Sequence, residues 1–244
     1  MLLHASRPPG QAQVVPRAAG RPRAEPASQS GPPSRLVPIS SAAAQTARRF
    51  TAVRDSDPPK EVNLVRIAFL TAPEGVEQVE LTEPWKAAEQ AGWNPRLVST
   101  EPGRIRAYNH LDKADTFPVD HVLGGDTSDG FDALVLPGGV ANPDALRMDD
   151  RAVAFTRHFF ETGKPVAAIC HAPWILVEAD VVRGRTLTSW PSLATDIRNA
   201  GGNWVDEEVR ICRSEPSTLI TSRKPDDLEA FCAAFVKEFA AAQS

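Results

Sequence analysis

Cysteine is scarce. The three present, Cys170, Cys212 and Cys232, are an odd number with no C-x-x-C spacing. That argues against a disulfide framework and against a zinc ribbon, and it fits a reducing, intracellular setting. Long apolar runs are missing as well. No stretch approaches about 18 consecutive apolar residues, so no membrane-spanning helix is expected. Neither G-x-x-x-x-G-K nor G-x-G-x-x-G occurs, so no phosphate loop or dinucleotide fingerprint is present. No metal-binding pattern and no internal repeat stand out. Histidine is sparse and unevenly placed. The five are His4, His110, His121, His158 and His171, and none follows residue 171.

What is there is globular in composition. Apolar residues are 42% and charged residues 24% of 244. That suits one α/β domain with something added, or two small domains. The net charge of −4 hides an asymmetry. Residues 1–60 carry nine Lys/Arg against three Asp/Glu; residues 61–244 carry eighteen against twenty-eight. So acidic a main part repels phosphate backbones, and nucleic acid is not expected as a partner.

Residues 1–60 hold ten of the 22 prolines and are rich in Ala, Arg and Ser. Such a composition buries too little surface to offset the entropy of ordering, so a disordered tail is expected. It lacks the apolar middle of a secretory signal. Its Arg-rich, acid-poor make-up is loosely like an organelle transit peptide. The plainer reading, an untargeted tail or an over-extended gene start, is preferred, and a cytoplasmic location goes with it.

From residue 61 an α/β domain is expected. Val65–Leu70, Arg96–Ser99, Ala133–Leu136 and Val166–Ile169 read as short strands, three of them wholly apolar or nearly so. Leu81, Trp85 and Ala88 recur at helical spacing and Gly92 ends that helix. A second helix carries Ala152, Phe155 and Phe159, and a third runs from Pro173 to about Ala179. Residues 101–130 read as an excursion with a hairpin around Arg104–Asn109 and Thr116–Val119. Strand-like pieces follow at Arg185–Thr188, Val209–Cys212 and Thr218–Thr221. Leu228, Phe231, Cys232, Phe235, Val236 and Phe239 form the apolar stripe of a last helix, with Asp226 and Glu229 placed as a capping box. Buried strands alternating with helices predict a mostly parallel sheet covered on both faces. Ligands collect beyond the C-terminal strand ends of such sheets. Three ends are therefore suspects: Thr71–Gly75, Pro137–Gly139 and Cys170-His171.

Ala168-Ile169-Cys170-His171-Ala172-Pro173 puts a thiol at the apex of a strand-to-helix turn, a nucleophile-elbow geometry. The following helix start favours thiolate over thiol. Cys232 lies on the apolar stripe and reads as core; Cys212 reads as structural. A thiol nucleophile needs a proton carrier. The lack of a late histidine excludes a hydrolase-type triad and the late His-x-Glu of glutamine amidotransferases. A carboxyl can substitute. Glu74, just beyond the first strand, would reach the elbow if that strand lay beside the fourth, and burial there would raise its pKa. Glu74, Glu77, Glu80 and Glu83 also form a run. For Glu77 and Glu83 the reading is a solvated helix start. Backbone N–H groups of Gly138 and Gly139, with that of His171, would form an oxyanion site.

Thr71-Ala72-Pro73-Glu74, Leu134-Val135-Leu136-Pro137-Gly138-Gly139 and Ala168-Ile169-Cys170-His171-Ala172-Pro173 together resemble the three landmark motifs of the ThiJ/PfpI family, in its order and spacing. The resemblance runs from about Val65 to Phe239. Leu187–Pro191 and Thr221–Arg223 fit its PfpI-like bacterial branch. It implies a flavodoxin-like three-layer α/β sandwich, a reactive cysteine at Cys170 and a carboxylate neighbour, carried to Glu74. It groups His171 with an acid from an adjoining subunit, matched approximately by Asp144, with Asp for Glu and one extra residue after the glycines. A helix N-cap is the other reading of Asp144. Ala172 stands where many members have glycine, and Trp190 where the archaeal peptidases have tyrosine.

The family implies cofactor-free chemistry on reactive carbonyls, of glyoxalase or deglycase type, in stress protection. The alternatives are a PfpI-type cysteine peptidase and a non-enzymatic redox sensor whose cysteine oxidises to a sulfinic acid. The expected partners are a small carbonyl, or a glycated or peptide substrate, and further copies of the chain as a homodimer or larger homo-oligomer. No cofactor, metal or membrane partner is expected.

Overall fold

The structure is a computed structural model in which residues 65–124 and 127–243 are described. The expectations placed on residues 1–60 lie outside the described residues.

The chain opens with β1 (Arg66–Thr71), β2 (Glu74–Glu77), α1 (Gln78–Gln90) and β3 (Asn94–Ser99). A hairpin of β4 (Arg104–Asn109) and β5 (Asp112–Pro118) follows, then β6 (His121–Val122) and β7 (Ala133–Leu136). Next come α2 (Ala141–Arg147), α3 (Asp150–Glu161), β8 (Val166–Ile169) and α4 (Pro173–Glu178). The chain ends with β9 (Thr186–Leu187), α5 (Ala194–Asn199), β10 (Asn203–Trp204), β11 (Val209–Cys212), β12 (Leu219–Ser222) and α6 (Leu228–Ala241).

Seven strands make the central sheet in the order β11-β12-β8-β7-β1-β3-β6. Every neighbouring pair is parallel except β11 with β12. Alternate residues of each strand point to opposite faces. Ile67, Phe69, Val135 and Ala167 go to the side of α1 and α6, where Phe231, Phe235 and Phe239 lie fully buried. Ala68, Leu70, Leu134 and Val166 go to the side holding Phe155 and Phe159 of α3, Ile175 of α4 and Ile197 of α5. Both faces are covered, which is why these strands read as continuous apolar runs. The result is the expected three-layer sandwich with a mostly parallel sheet.

The excursion holds the predicted hairpin, and β2 joins it to make a three-stranded sheet, β2-β4-β5. That strand was not foreseen. Glu74–Glu77 has no alternation of its own, and its pairing with β4 decides its conformation. The predicted capping box on the last helix is not formed. Pro225 starts a 3-10 turn over Pro225–Asp227, so α6 begins at Leu228. The Asp226 carboxylate instead pairs with the Lys224 ammonium at 2.9 Å. Among the described residues no helix is long and apolar enough to cross a membrane.

Candidate active site

The three suspected strand ends meet. Asn142, fully buried, accepts from the Ala72 N–H at 2.7 Å and donates to the Pro137 carbonyl at 2.9 Å. One side chain thus ties the end of β1 to the end of β7. A Cβ on Gly75 would lie 2.6 Å from that of Ala141. The next strand over is β8, and Cys170 follows it at once.

Cys170 has φ +63°, left-handed backbone that is costly for a residue with a side chain. The turn is held from both sides. The Cys170 N–H donates to the Ser222 carbonyl at 3.0 Å, and its own carbonyl accepts from the Trp190 N–H at 2.8 Å. The elbow therefore exists as the sequence predicts, over-determined by β12 and by the segment after β9.

Cys170 is nearly buried, at 6% exposure. His171 Nδ1 lies 3.1 Å from its sulfur. The Gly139 and His171 N–H groups point to it, and the Glu80 carboxyl is within hydrogen-bonding reach. Glu80 is fully buried, and its Oε2 accepts from the Gly138 N–H at 3.1 Å. Burial above all pushes Glu80 up from the usual carboxylate range to about 8; the Glu77 charge adds to this, and the bonds from Cys170, Gly138 and Gly139 work against it. Burial also pushes the Cys170 thiol up, and the Glu80 charge pushes it further. The expected pull of the helix start toward thiolate survives only as backbone N–H contacts and is outweighed. Two negative charges in one dry site are unfavourable, so the sulfur and the carboxyl together keep at least one proton at neutral pH.

Glu74 does not take the place expected of it. The premise was a first strand beside the fourth, but β7 separates β1 from β8. Glu74 is exposed on β2, where its Oε2 accepts from the Tyr108 hydroxyl at 3.2 Å. The chain makes β2 and half a turn of α1 before a carboxyl, that of Glu80, returns over the sulfur. The two glycines also divide their work. A Cβ on Gly138 would collide with Glu80 Oε2 and lie 2.6 Å from the Cys170 Cβ, so only glycine lets thiol and carboxyl close on this turn. Its N–H is spent on Glu80. Gly139, with φ +81°, and His171 keep the N–H groups that face the sulfur.

His171 is buried between aromatic rings, stacked on Trp190 at 5.6 Å and tilted against Trp174 at 5.4 Å. Burial lowers its pKa, which keeps the imidazole neutral. Asp144 is exposed in the first turn of α2 and is not its cap, the cap position being Val140. Helix α2 starts four residues earlier than that reading required. Asp144 is not among the described residues lining the cavity above Cys170.

That cavity measures about 370 Å³. Cys170, His171 and Glu80 form its reactive end; Tyr108, Leu111 and Trp190 form walls. Glu77 lines it too and is only 9% exposed, not the solvated helix residue expected. The signal for Glu80 was in the sequence. Glu80, Pro84 and Ala88 fall at i, i+4 and i+8, so one carboxyl sits on the buried stripe of α1. The signal for the hairpin walls was not, because they reach the cavity only through the pairing of β2 with β4.

A strained cysteine elbow on a parallel α/β sandwich, with a buried carboxyl as its partner, defines a class of thiol-dependent α/β proteins. Within it, the model of the DJ-1/PfpI family matches residues 65–238, and the chain belongs to that family. It is 40% identical over 173 residues to Deglycase PH1704 of Pyrococcus horikoshii, an overlap covering 71% of this chain and 98% of that relative. It is 41% identical over 166 residues to Protein/nucleic acid deglycase 2 of Escherichia coli, covering 68% and 92%. Among solved structures, a two-domain protein from Anabaena variabilis with dj-1/thij/pfpi-like and ferritin-like domains matches with a TM-score of 0.65 and 30% identity. That match covers 72% of this chain and about half, 48%, of the two-domain chain.

Proposed function

We propose that the protein is a cofactor-independent, cysteine-dependent enzyme acting on reactive carbonyls, of glyoxalase or deglycase type. One observation carries the reading: a fully buried carboxyl, Glu80, lies within hydrogen-bonding reach of the Cys170 thiol at the end of an open cavity. The deglycase names of the two relatives support it.

With methylglyoxal the chemistry runs as follows. When Glu80 holds the shared proton, Cys170 is a thiolate. The sulfur adds to the aldehyde carbon, and the aldehyde oxygen gains charge opposite the Gly139 and His171 N–H groups. Glu80 gives that oxygen its proton, completing a hemithioacetal. The freed carboxylate then takes the hydrogen from the former aldehyde carbon and, through an enediol, returns a proton to the neighbouring carbon. The aldehyde carbon is oxidised to a thioester and the ketone carbon is reduced to an alcohol, so no outside electron carrier is needed. Water hydrolyses the thioester, releasing lactate and the thiol. A cavity of about 370 Å³ also admits a carbonyl carried on a larger group.

The His171 Nδ1 contact with the sulfur favours one second reading, a cysteine peptidase. There His171 would protonate the leaving amine, and Asp144 would orient it from a neighbouring copy of the chain. The test is methylglyoxal loss with lactate detection, run beside peptide cleavage, on the full chain. The carbonyl reading expects lactate from the parent and none above background from Cys170→Ala. Peptide cleavage lost in His171→Ala and Asp144→Ala, with no lactate from the parent, would replace it with the peptidase.

A further inference from the structure

Glu77 has no part in the steps above, yet it is a nearly buried carboxylate lining the same cavity. It is the residue just before α1, three positions from Glu80. Its Oε2 accepts the His110 N–H at 2.9 Å. His110 has φ +57° and turns β4 into β5, and the next residue, Leu111, stands 94% exposed at the cavity mouth. The carboxylate thus fastens the tip of the hairpin to the end of β2, where the small sheet runs into α1.

We propose that Glu77 is a positioning residue of the thiol site: it anchors the hairpin tip that walls the cavity, and its negative charge beside Glu80 biases the shared proton toward the carboxyl and away from the sulfur. The charged and titratable groups around it are few. Glu74 lies on the same strand, Tyr108 on the neighbouring strand β4, and Cys170 and His171 on the elbow. The His110 ring, with Nδ1 4.0 Å from Glu77 Oε2, is almost wholly exposed, so a charge on it is screened by water. Of these groups, Glu77 lies three positions from Glu80 on the same cavity, and its charge acts on that carboxyl. It ranks among the main influences on the Glu80 carboxyl and not among those on the Cys170 sulfur. A charge that penalises ionised Glu80 more than ionised Cys170 favours the arrangement with thiolate and carboxylic acid, the one that attacks a carbonyl.

The inference rests on Cys170 being the reactive thiol, and its readout needs no substrate. Iodoacetamide alkylation of the full chain is followed against pH, resolved by peptide mass spectrometry so that Cys212 and Cys232 serve as internal references. Glu77→Gln keeps the acceptor for the His110 N–H and removes the charge. Its Cys170 rate at pH 7 should fall about three- to ten-fold, and the rising limb should move to lower pH. Glu77→Asp restores the charge and should restore the parent profile. In Glu77→Ala, hydrogen exchange at the His110 amide should quicken, while Glu77→Gln leaves it protected. A Glu77→Gln profile that superimposes on the parent's, a Glu77→Asp profile like that of Glu77→Gln, or His110 exchange unmoved in Glu77→Ala would overturn the proposal. A parent whose Cys170 reacts no faster than Cys232 would overturn both the proposal and the reading of the site.

Discussion

Glu80 is a carboxyl held where water cannot reach it, and its neighbours explain why it survives there. It is hydrogen-bonded by backbone N–H groups and by a thiol, and burial keeps its proton on, so it need not carry a full charge. That has a consequence for stability. The carboxyl lies well above its unfolded range in the folded protein, at about 8. Between roughly pH 4.5 and 8 the folded state therefore binds more protons than the unfolded state, and stability falls as pH rises through this window. Glu80→Gln removes that loss. Its thermal midpoint should match or trail the parent's near pH 5 and overtake it by pH 8 to 9. A constant offset across the range would show that Glu80 does not take up a proton on folding. The residue also marks what a sequence conveys at this scale. The cysteine announces itself, because a thiol between an apolar strand and a Pro-initiated helix has few other meanings. Its carboxyl partner does not. Glu74 has the better position along the chain and Glu80 the better position in space, and only the order of strands separates them.

Strand ends become a site when something fixes their relative height, and here it is Asn142 on α2. Its amide joins the backbone of Ala72 to that of Pro137 with no solvent around it. Asn142→Ala leaves a buried N–H and a buried carbonyl without partners, at about 1–3 kcal/mol each. Urea denaturation should register a loss of about 2–6 kcal/mol for the two together, with kcat reduced as the loops under the sulfur loosen. A variant as stable as the parent would mean that water or backbone shifts replace the amide. Elements differed in how plainly the sequence foretold them. The apolar strands β7 and β8 fall where the sequence puts them, because burial on both faces leaves no other pattern, and the phenylalanine stripe of α6 falls where helical periodicity puts it. The short strand β2, the separate helix α2 and the 3-10 turn before α6 did not show. Each is settled by a neighbour distant in sequence or by a proline shifting a helix start, which local pattern does not record.

The whole molecule divides its labour between its sheets. The mostly parallel sandwich places Cys170, the Gly139 and His171 N–H groups and the Glu80 carboxyl at one edge, as the strand-end rule leads one to expect. The three-stranded sheet of β2, β4 and β5 closes the cavity from the side and brings Tyr108 and Leu111 to it. Fold class and reactive edge were legible from the alternation of strands and helices, whereas the side wall depends on a pairing across 30 residues that no motif announces. The central claim is that the proton partner of Cys170 is Glu80 and not Glu74. The most direct test is kcat/KM for methylglyoxal in Glu80→Gln and Glu74→Gln, measured side by side at neutral pH with lactate as the product. The account predicts a fall of about 100-fold or more for Glu80→Gln, the usual worth of a positioned acid–base group, and only a few-fold for Glu74→Gln. The reverse order, or an equal loss in both, would contradict it.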